Sequence, residues 1–179
     1  MGKFNEIEWT IRAVMLHDRR AFDRLVERHA PLLRRFFVMQ TCGDVMTADD
    51  LTQDSLIAAW QSIGKFSMKC SFGTWLHTIA YRRWVDYCRR RRPELSPLSE
   101  AEDVLADDPP VNYASLYEAI ALLPPTQRLC ITMFYMNSLS VKAISAITGL
   151  SQESVRSNLN RGRNKLKKLI DKDGNRKDS

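Results

Sequence analysis

The stretch Ser138-Leu139-Ser140-Val141-Lys142-Ala143-Ile144-Ser145-Ala146-Ile147-Thr148-Gly149-Leu150-Ser151 restricts the possible folds more than any other part of the chain. It reads as a helix, a tight turn and the start of a second helix. Ser140 suits an N-cap, because its hydroxyl can accept one of the unsatisfied backbone N–H groups. Gly149 stands where that helix must end, since glycine takes the left-handed conformation of a C-terminal turn without steric cost. Ser151 is then the cap of the next helix. Val141, Ile144, Ile147 and Leu150 recur at helical spacing, as expected of a short helix bracing a longer one.

In the longer helix, Val155, Leu159, Gly162, Leu166 and Leu169 share one side. Ser157, Asn160, Arg161, Asn164, Lys167 and Lys168 occupy the other, with Arg156 and Arg163 toward its edge. From Gln152 to Ile170 there are six Lys or Arg residues and a single acid, Glu153. Such a face fits the major groove, where guanidinium and amide groups read base edges and lysines hold phosphates. The competing reading is the solvated face of a bundle helix. The brace helix, the glycine turn and the basic face together favour DNA.

The remainder of the chain also reads as helix, because glycine is scarce and no segment alternates apolar and polar residues for long. One helix is expected from about Phe4 to Leu16. Asp18 is placed to cap the next, in which Phe22, Leu25, Val26, His29, Leu32, Leu33 and Phe36 form a core-facing stripe. His29 on that stripe is read as a packed histidine, not a ligand. Pro31 lies inside the pattern and predicts a kink or break. Thr41 to Met46 is expected to be a loop around Gly43, with Thr47 opening a third helix. Asp49 and Asp50 in its first turn suit the helix dipole. Leu51, Ser55, Ala58 and Ala59 line one side of this helix, which leaves Gln53 and Asp54 facing away. These acids are either ordinary capping and solvation or a docking face for a basic partner.

Residues 65–73 read as a loop, after which Thr74 is expected to cap a fourth helix that ends at Arg89-Arg90-Arg91-Arg92 before Pro93. Leu76, Ile79, Ala80 and Tyr87 form its core face. Trp75, Tyr81, Arg82, Arg83 and Trp84 are more aromatic and cationic side chains than a core needs. Aromatics beside arginines can stack unpaired bases along a neutralised backbone, although Trp75 and Trp84 also suit a core. From Glu94 to Val111 there are six acids, three prolines and no Lys or Arg, the composition of an extended linker between two domains. A helix is expected again over 112–123, then a break at Pro124-Pro125 with Thr126 as the next cap. Asp171 to Ser179 reads as a disordered tail.

Composition narrows the function classes. An apolar fraction of 44% and a charged fraction of 27% describe a soluble globular chain, and a net charge of +6 suits a polyanionic partner. Cys42, Cys70, Cys88 and Cys130 are far apart, and with His17, His29 and His77 they complete no metal-ligand spacing, so no metal and no cofactor is expected. Met1 to Arg12 is mixed and charged, unlike a secretory signal. No apolar run approaches the roughly 20 residues that span a bilayer, so a cytoplasmic location is expected. Phosphate-binding glycine loops and nucleophile signatures are absent, so the chain does not read as an enzyme.

In combination the motifs resemble a bacterial sigma factor of the extracytoplasmic-function (ECF) group of the sigma-70 family, over about Asp18 to Leu169. The resemblance rests on Asp50-Leu51-Thr52-Gln53-Asp54 followed by Trp60. It rests equally on Phe66 and Phe72 preceding Trp75-Leu76 and Ile79-Ala80, and on the Arg-rich helix end. Leu123-Pro124-Pro125 ahead of Leu139-Ser140, Gly149, Val155-Arg156-Ser157 and Arg161-Gly162-Arg163 completes it. It implies an all-α fold of two small helical domains, region 2 over 1–92 and region 4 over 113–170, joined by a linker over 93–112.

The resemblance also implies roles. Asp50, Gln53 and Asp54 would contact the clamp helices of the largest subunit of core RNA polymerase. Phe66, Ser71, Phe72, Trp75, Arg82, Arg83 and Asp86 would read the −10 promoter element and capture a base flipped from the stack. Arg156, Ser157, Asn160, Arg161 and Arg163 would read the −35 element, and their domain would touch the flap of the second-largest subunit. The linker would thread toward the active-site cleft, and an anti-sigma factor is a possible further partner. Arg82, where relatives often carry Asn, and Asp86 depart from the family pattern, as does Asn160, so base preferences do not transfer. A helix-turn-helix regulator with an N-terminal sensing or dimerisation domain is the alternative. It accounts for the C-terminal half but not for the Asp50–Trp60 face or the aromatic-arginine helix.

Overall fold

The computed structural model describes residues 2–91 and 116–174, and all regular structure in these residues is helical. The acidic segment expected as a linker, residues 93–112, therefore lies wholly outside the described residues. Four helices form the first unit: α1 (Gly2–Leu16), α2 (Arg19–Gln40), α3 (Val45–Ser62) and α4 (Phe72–Arg91), with a 3-10 turn at Ile63–Lys65. The second unit holds α5 (Leu116–Ala121), α6 (Pro125–Ile131), a π-helical turn at Thr132–Met136, α7 (Val141–Thr148) and α8 (Gln152–Gly174).

α2 is the spine of the first unit and packs against both α1 and α3. It buries Phe22, Leu25, Leu33, Phe36 and Phe37 on one face. Pro31 does not break it: α2 runs unbroken through this position, so of the two outcomes expected there the break does not occur. Pro31 and Glu27, the residue whose carbonyl loses its N–H partner, are both exposed, so that carbonyl is open to solvent instead of being buried without a partner. The buried stripe continues on either side, and burial at roughly 1.5–3 kcal/mol per large side chain outweighs a proline cost of about 3 kcal/mol. His29 on the stripe is buried and hydrogen-bonded to Glu6 of α1 at 3.0 Å, a packed histidine as expected.

Three helix starts differ from the sequence expectation for local reasons. Asp44, not Thr47, caps α3: its carboxylate accepts from Thr47 N at 3.1 Å and from the Thr47 hydroxyl at 2.6 Å, so the helix begins earlier, at Val45. Ser71, not Thr74, caps α4, accepting Thr74 N at 3.1 Å. α6 begins with Pro125 at its first position, where the missing N–H has no intrahelical partner to lose, and Thr126 falls inside it. α8 also continues past the expected end at Ile170 to Gly174, the next residue that disfavours helix.

The two units, expected as separate domains, lie against each other. α2 contacts α5, α6 and the π turn, and α4 contacts α7. Buried apolar residues of both units join in one cluster. A polar bond crosses the seam as well: buried Asn137 donates from Nδ2 to Leu32 O at 2.9 Å.

Candidate nucleic-acid interface

The helix-turn-helix forms as its residues dictate. The Ser140 hydroxyl accepts Ala143 N at 3.1 Å, and Gly149 closes α7 at φ +78° with its N–H on Ser145 O at 2.9 Å. The Ser145 hydroxyl donates to Leu150 O at 2.7 Å, which ties the turn to the brace helix. Ser151 accepts Ser154 N at 3.0 Å and starts α8. Ile144, Ile147, Val155 and Leu159 are buried between the two helices and the rest of the unit.

That packing leaves Arg156, Asn160, Arg161, Arg163, Asn164, Lys167 and Lys168 exposed along α8, with Ser157 half-buried at the margin. Arg156 and Arg161 have no side-chain partner among the described residues. Arg163 is held by hydrogen bonds to Asn160 Oδ1 and, at 3.4 Å, to the Tyr135 hydroxyl. Tyr135 is half exposed, and sequence reasoning missed it. The π turn caused the miss. Its wider register, with Asn137 N on Thr132 O at 3.1 Å, turns Tyr135 outward toward α8.

The second candidate surface is the loop before α4 and the helix itself. Phe66 and Phe72 are buried, at 4% and 3% exposure, so direct base stacking by these two rings does not fit the structure. They anchor the loop instead. Phe66 stacks on Trp75 at 4.8 Å between centroids, and Phe72 packs on Phe22 and His29. Gly73 permits this approach, because a Cβ there would come within 3.0 Å of the His29 ring. The loop and α1 enclose an apolar groove of about 500 Å³ lined by Ile7, Ile11, Phe66, Met68, Cys70 and Phe72. Ser71 lies at its rim. Trp75 and Arg83 are half-buried, and Arg82 and Asp86 are exposed farther along α4. Trp84 stacks on Tyr87 at 5.6 Å, and the Arg91 guanidinium covers Tyr87 at 5.4 Å.

A third surface is the outer face of α3. Asp50, Gln53 and Asp54 are exposed, as expected. Asp49 is engaged by Arg34, with Nε 2.5 Å from Oδ1. Next to them lies a groove of about 400 Å³ between α2 and α3, lined by Phe22, Gln53, Leu56, Ile57 and Trp60. Ile57 is 48% exposed on it, so acids and an apolar floor share one face.

No group of His, Cys, Asp and Glu among the described residues could hold a metal ion. No described helix is long and apolar enough to cross a membrane.

Residues 25–94 match the family described as Sigma-70 region 2, and residues 113–166 match Sigma-70, region 4. Over 85% of its length the chain is 32% identical to the ECF RNA polymerase sigma factor SigE of Mycolicibacterium smegmatis, spanning 62% of that protein. It is 30% identical to the ECF RNA polymerase sigma factor RpoE of Cereibacter sphaeroides, over 88% of this chain and 92% of that one. Among solved structures it is similar to CnrH in complex with the cytosolic domain of CnrY, at 25% identity and a TM-score of 0.70, covering 94% of this chain and 99% of that one. It is also similar to the sigma factor RpoE in complex with the anti-sigma factor NepR from Bartonella quintana, at 26% identity and a TM-score of 0.68, covering 84% and 96%.

Proposed function

The chain belongs to the extracytoplasmic-function group of the sigma-70 family, and from that premise we propose how its surfaces divide the work of promoter recognition. It is a transcription initiation factor, not an enzyme: it binds core RNA polymerase, recognises −35 and −10 promoter elements and promotes DNA melting. It acts in the cytoplasm, where polymerase and chromosome are.

The first unit, with its boundary near residue 92, is the core-binding and −10 domain. Asp50, Gln53 and Asp54 dock on the clamp helices, and the apolar groove around Ile57 receives their packing residues. The Phe66–Ser71 loop and α1 form the pocket for an unstacked base, while Trp75, Arg82, Arg83 and Asp86 line the strand leading from it. Unstacking costs a few kcal/mol, which burial of the base in this groove offsets. The second unit is the −35 domain, and Arg156, Ser157, Asn160, Arg161 and Arg163 face the major groove. Its own surface also meets the flap. An anti-sigma factor is a fitting regulator, because the similar RpoE chain was solved with a partner of that kind.

The observation that carries this reading is the pairing on one chain of an exposed helix-turn-helix with the aromatic-arginine helix α4. The arrangement of the units adds a condition. Elements named −35 and −10 lie about 25 base pairs apart, roughly 85 Å along the duplex at about 3.4 Å per pair. A chain of this size packed in one body has a radius of gyration of about 16 Å. With α7 lying on α4, both elements cannot be read at once, so the units separate on the promoter. Run-off transcription with core polymerase on genomic fragments tests the proposal. Initiation at discrete −35/−10 sites is the expected result, and none above core polymerase alone would end it.

A further inference from the structure

At the seam between the units a buried cation meets an exposed thiol. Arg128 on α6 is only 7% exposed. Its Nη1 donates to Ala121 O at 2.7 Å and lies 2.7 Å from Sγ of Cys42, at the C-terminal end of α2. Nε of Arg128 is buried without a hydrogen-bond partner, and no carboxylate among the described residues pairs with the guanidinium. Burying a cation without an anion is costly. Cys42 itself is exposed, in a left-handed backbone conformation at φ +54°.

We propose that Cys42 is a site of oxidation by hydroperoxides, and that its oxidised, anionic form clamps the two units together through Arg128. The thiolate attacks one peroxide oxygen: the S–O bond forms, the O–O bond breaks, and the departing hydroxide or alkoxide takes up a proton. Sulfur is oxidised by two electrons to a sulfenic acid and the peroxide is reduced to water or an alcohol. Loss of the acid proton gives a sulfenate, the anion that Arg128 lacks, in a charge-assisted hydrogen bond. The end of α2 alone disfavours an anion; the guanidinium makes the position able to hold one.

The other thiols lack this combination. Burial pushes the Cys88 thiol up to about 11 and the Cys130 thiol up to about 12, so neither supplies a thiolate near neutral pH. Cys70 is exposed but has no cation hydrogen-bonded to it among the described residues. Because Cys42 belongs to the −10 unit and Arg128 to the −35 unit, the clamp favours the closed arrangement. Peroxide then lowers the population able to engage a promoter. This consequence rests on the sigma-factor reading; the clamp itself does not.

The test uses the full chain carrying Cys70→Ser, exposed to hydrogen peroxide and then to a sulfenic-acid-trapping dione in one aliquot. Amide exchange at the seam, over residues 36–42 and 128–137, is followed in another. The expected result is a trapped adduct on Cys42, with seam exchange about tenfold slower, the size of one hydrogen bond to a charged group. Adding Cys42→Ser abolishes both effects. Cys42→Asp, which tolerates the left-handed backbone, is slow without peroxide. Absence of the adduct, or an adduct with seam exchange unchanged or faster, overturns the proposal. Polymerase binding is measured alongside. If the reduced protein fails to bind core polymerase, the sigma-factor reading fails while the adduct and exchange data still decide the clamp.

Discussion

Gly162 of α8 lies directly against Ile131 of α6: a Cβ built at Gly162 would stand 2.8 Å from Ile131 Cγ1 and 3.2 Å from Cδ1. The approach seats α8 on the unit's core and fixes the direction in which its basic face points. Helix propensity alone would make Gly162→Ala stabilising by about 1 kcal/mol. The contact reverses the sign, and a net loss of about 1–3 kcal/mol is expected from overpacking. Urea denaturation of the variant measures it. Ile131→Ala in the same chain should recover part of the loss, giving a coupling that two independent defects would lack.

Two buried histidines set a pH dependence of stability. Burial depresses the pKa of His29 below its ordinary value of 6.5, with Glu6 opposing. Burial depresses His77 likewise, with the bond to Gly73 O opposing. The unfolded chain therefore binds more protons than the folded one below pH 6.5. Stability is full above that value and falls as pH drops toward the folded-state pKa values. Urea midpoints at about pH 7.5 and 5.5 should show this slope, and His77→Phe should flatten it whatever its effect on the midpoint at the higher pH.

On α8 the exposed cations divide into two kinds. Arg156→Ala or Arg161→Ala should cost about 1–3 kcal/mol and relax selection at particular −35 positions, if each side chain grips a base edge bidentately. Lys167→Ala should weaken all sequences alike and reduce the salt dependence of binding by about one ion. Competition among −35 variants at two salt concentrations separates the cases. Uniform losses for both arginines would place the reading face elsewhere.

Asp54 is exposed beside the Ile57 groove. Asp54→Lys should weaken core polymerase about tenfold, or about 1.4 kcal/mol, by setting like charges against a basic partner. Thermal unfolding should stay unchanged. Undiminished co-purification would remove α3 from the docking surface.

Local chemistry explains why so much of the chain could be read directly. Ser140, Gly149 and Ser151 determine where α7 and α8 stop and start, because caps and left-handed turns are decided within four or five residues. The exposed row of Arg156, Asn160, Arg161 and Lys167 follows from the position of Val155, Leu159 and Leu166 alone, since helical period places the two faces. Family motifs then supplied the partners of each face. The caps at Asp44 and Ser71 escaped because Thr47 and Thr74 are equally good capping residues nearby, and only the backbone path selects between them.

What the sequence determined by itself is the helices, their faces and the family. The tertiary structure decided which aromatic side chains are free. Phe66 and Phe72 have the composition of base-stacking residues, yet α2 and Trp75 bury them, and their contribution becomes the shape of the loop. It also decided that α2 continues through Pro31, that Tyr135 reaches Arg163, and that Cys42 meets Arg128 across 86 positions of sequence. Each of these depends on which surface of one helix lies against another. Side chains at distant positions jointly decide that packing, and no local pattern of residues encodes it.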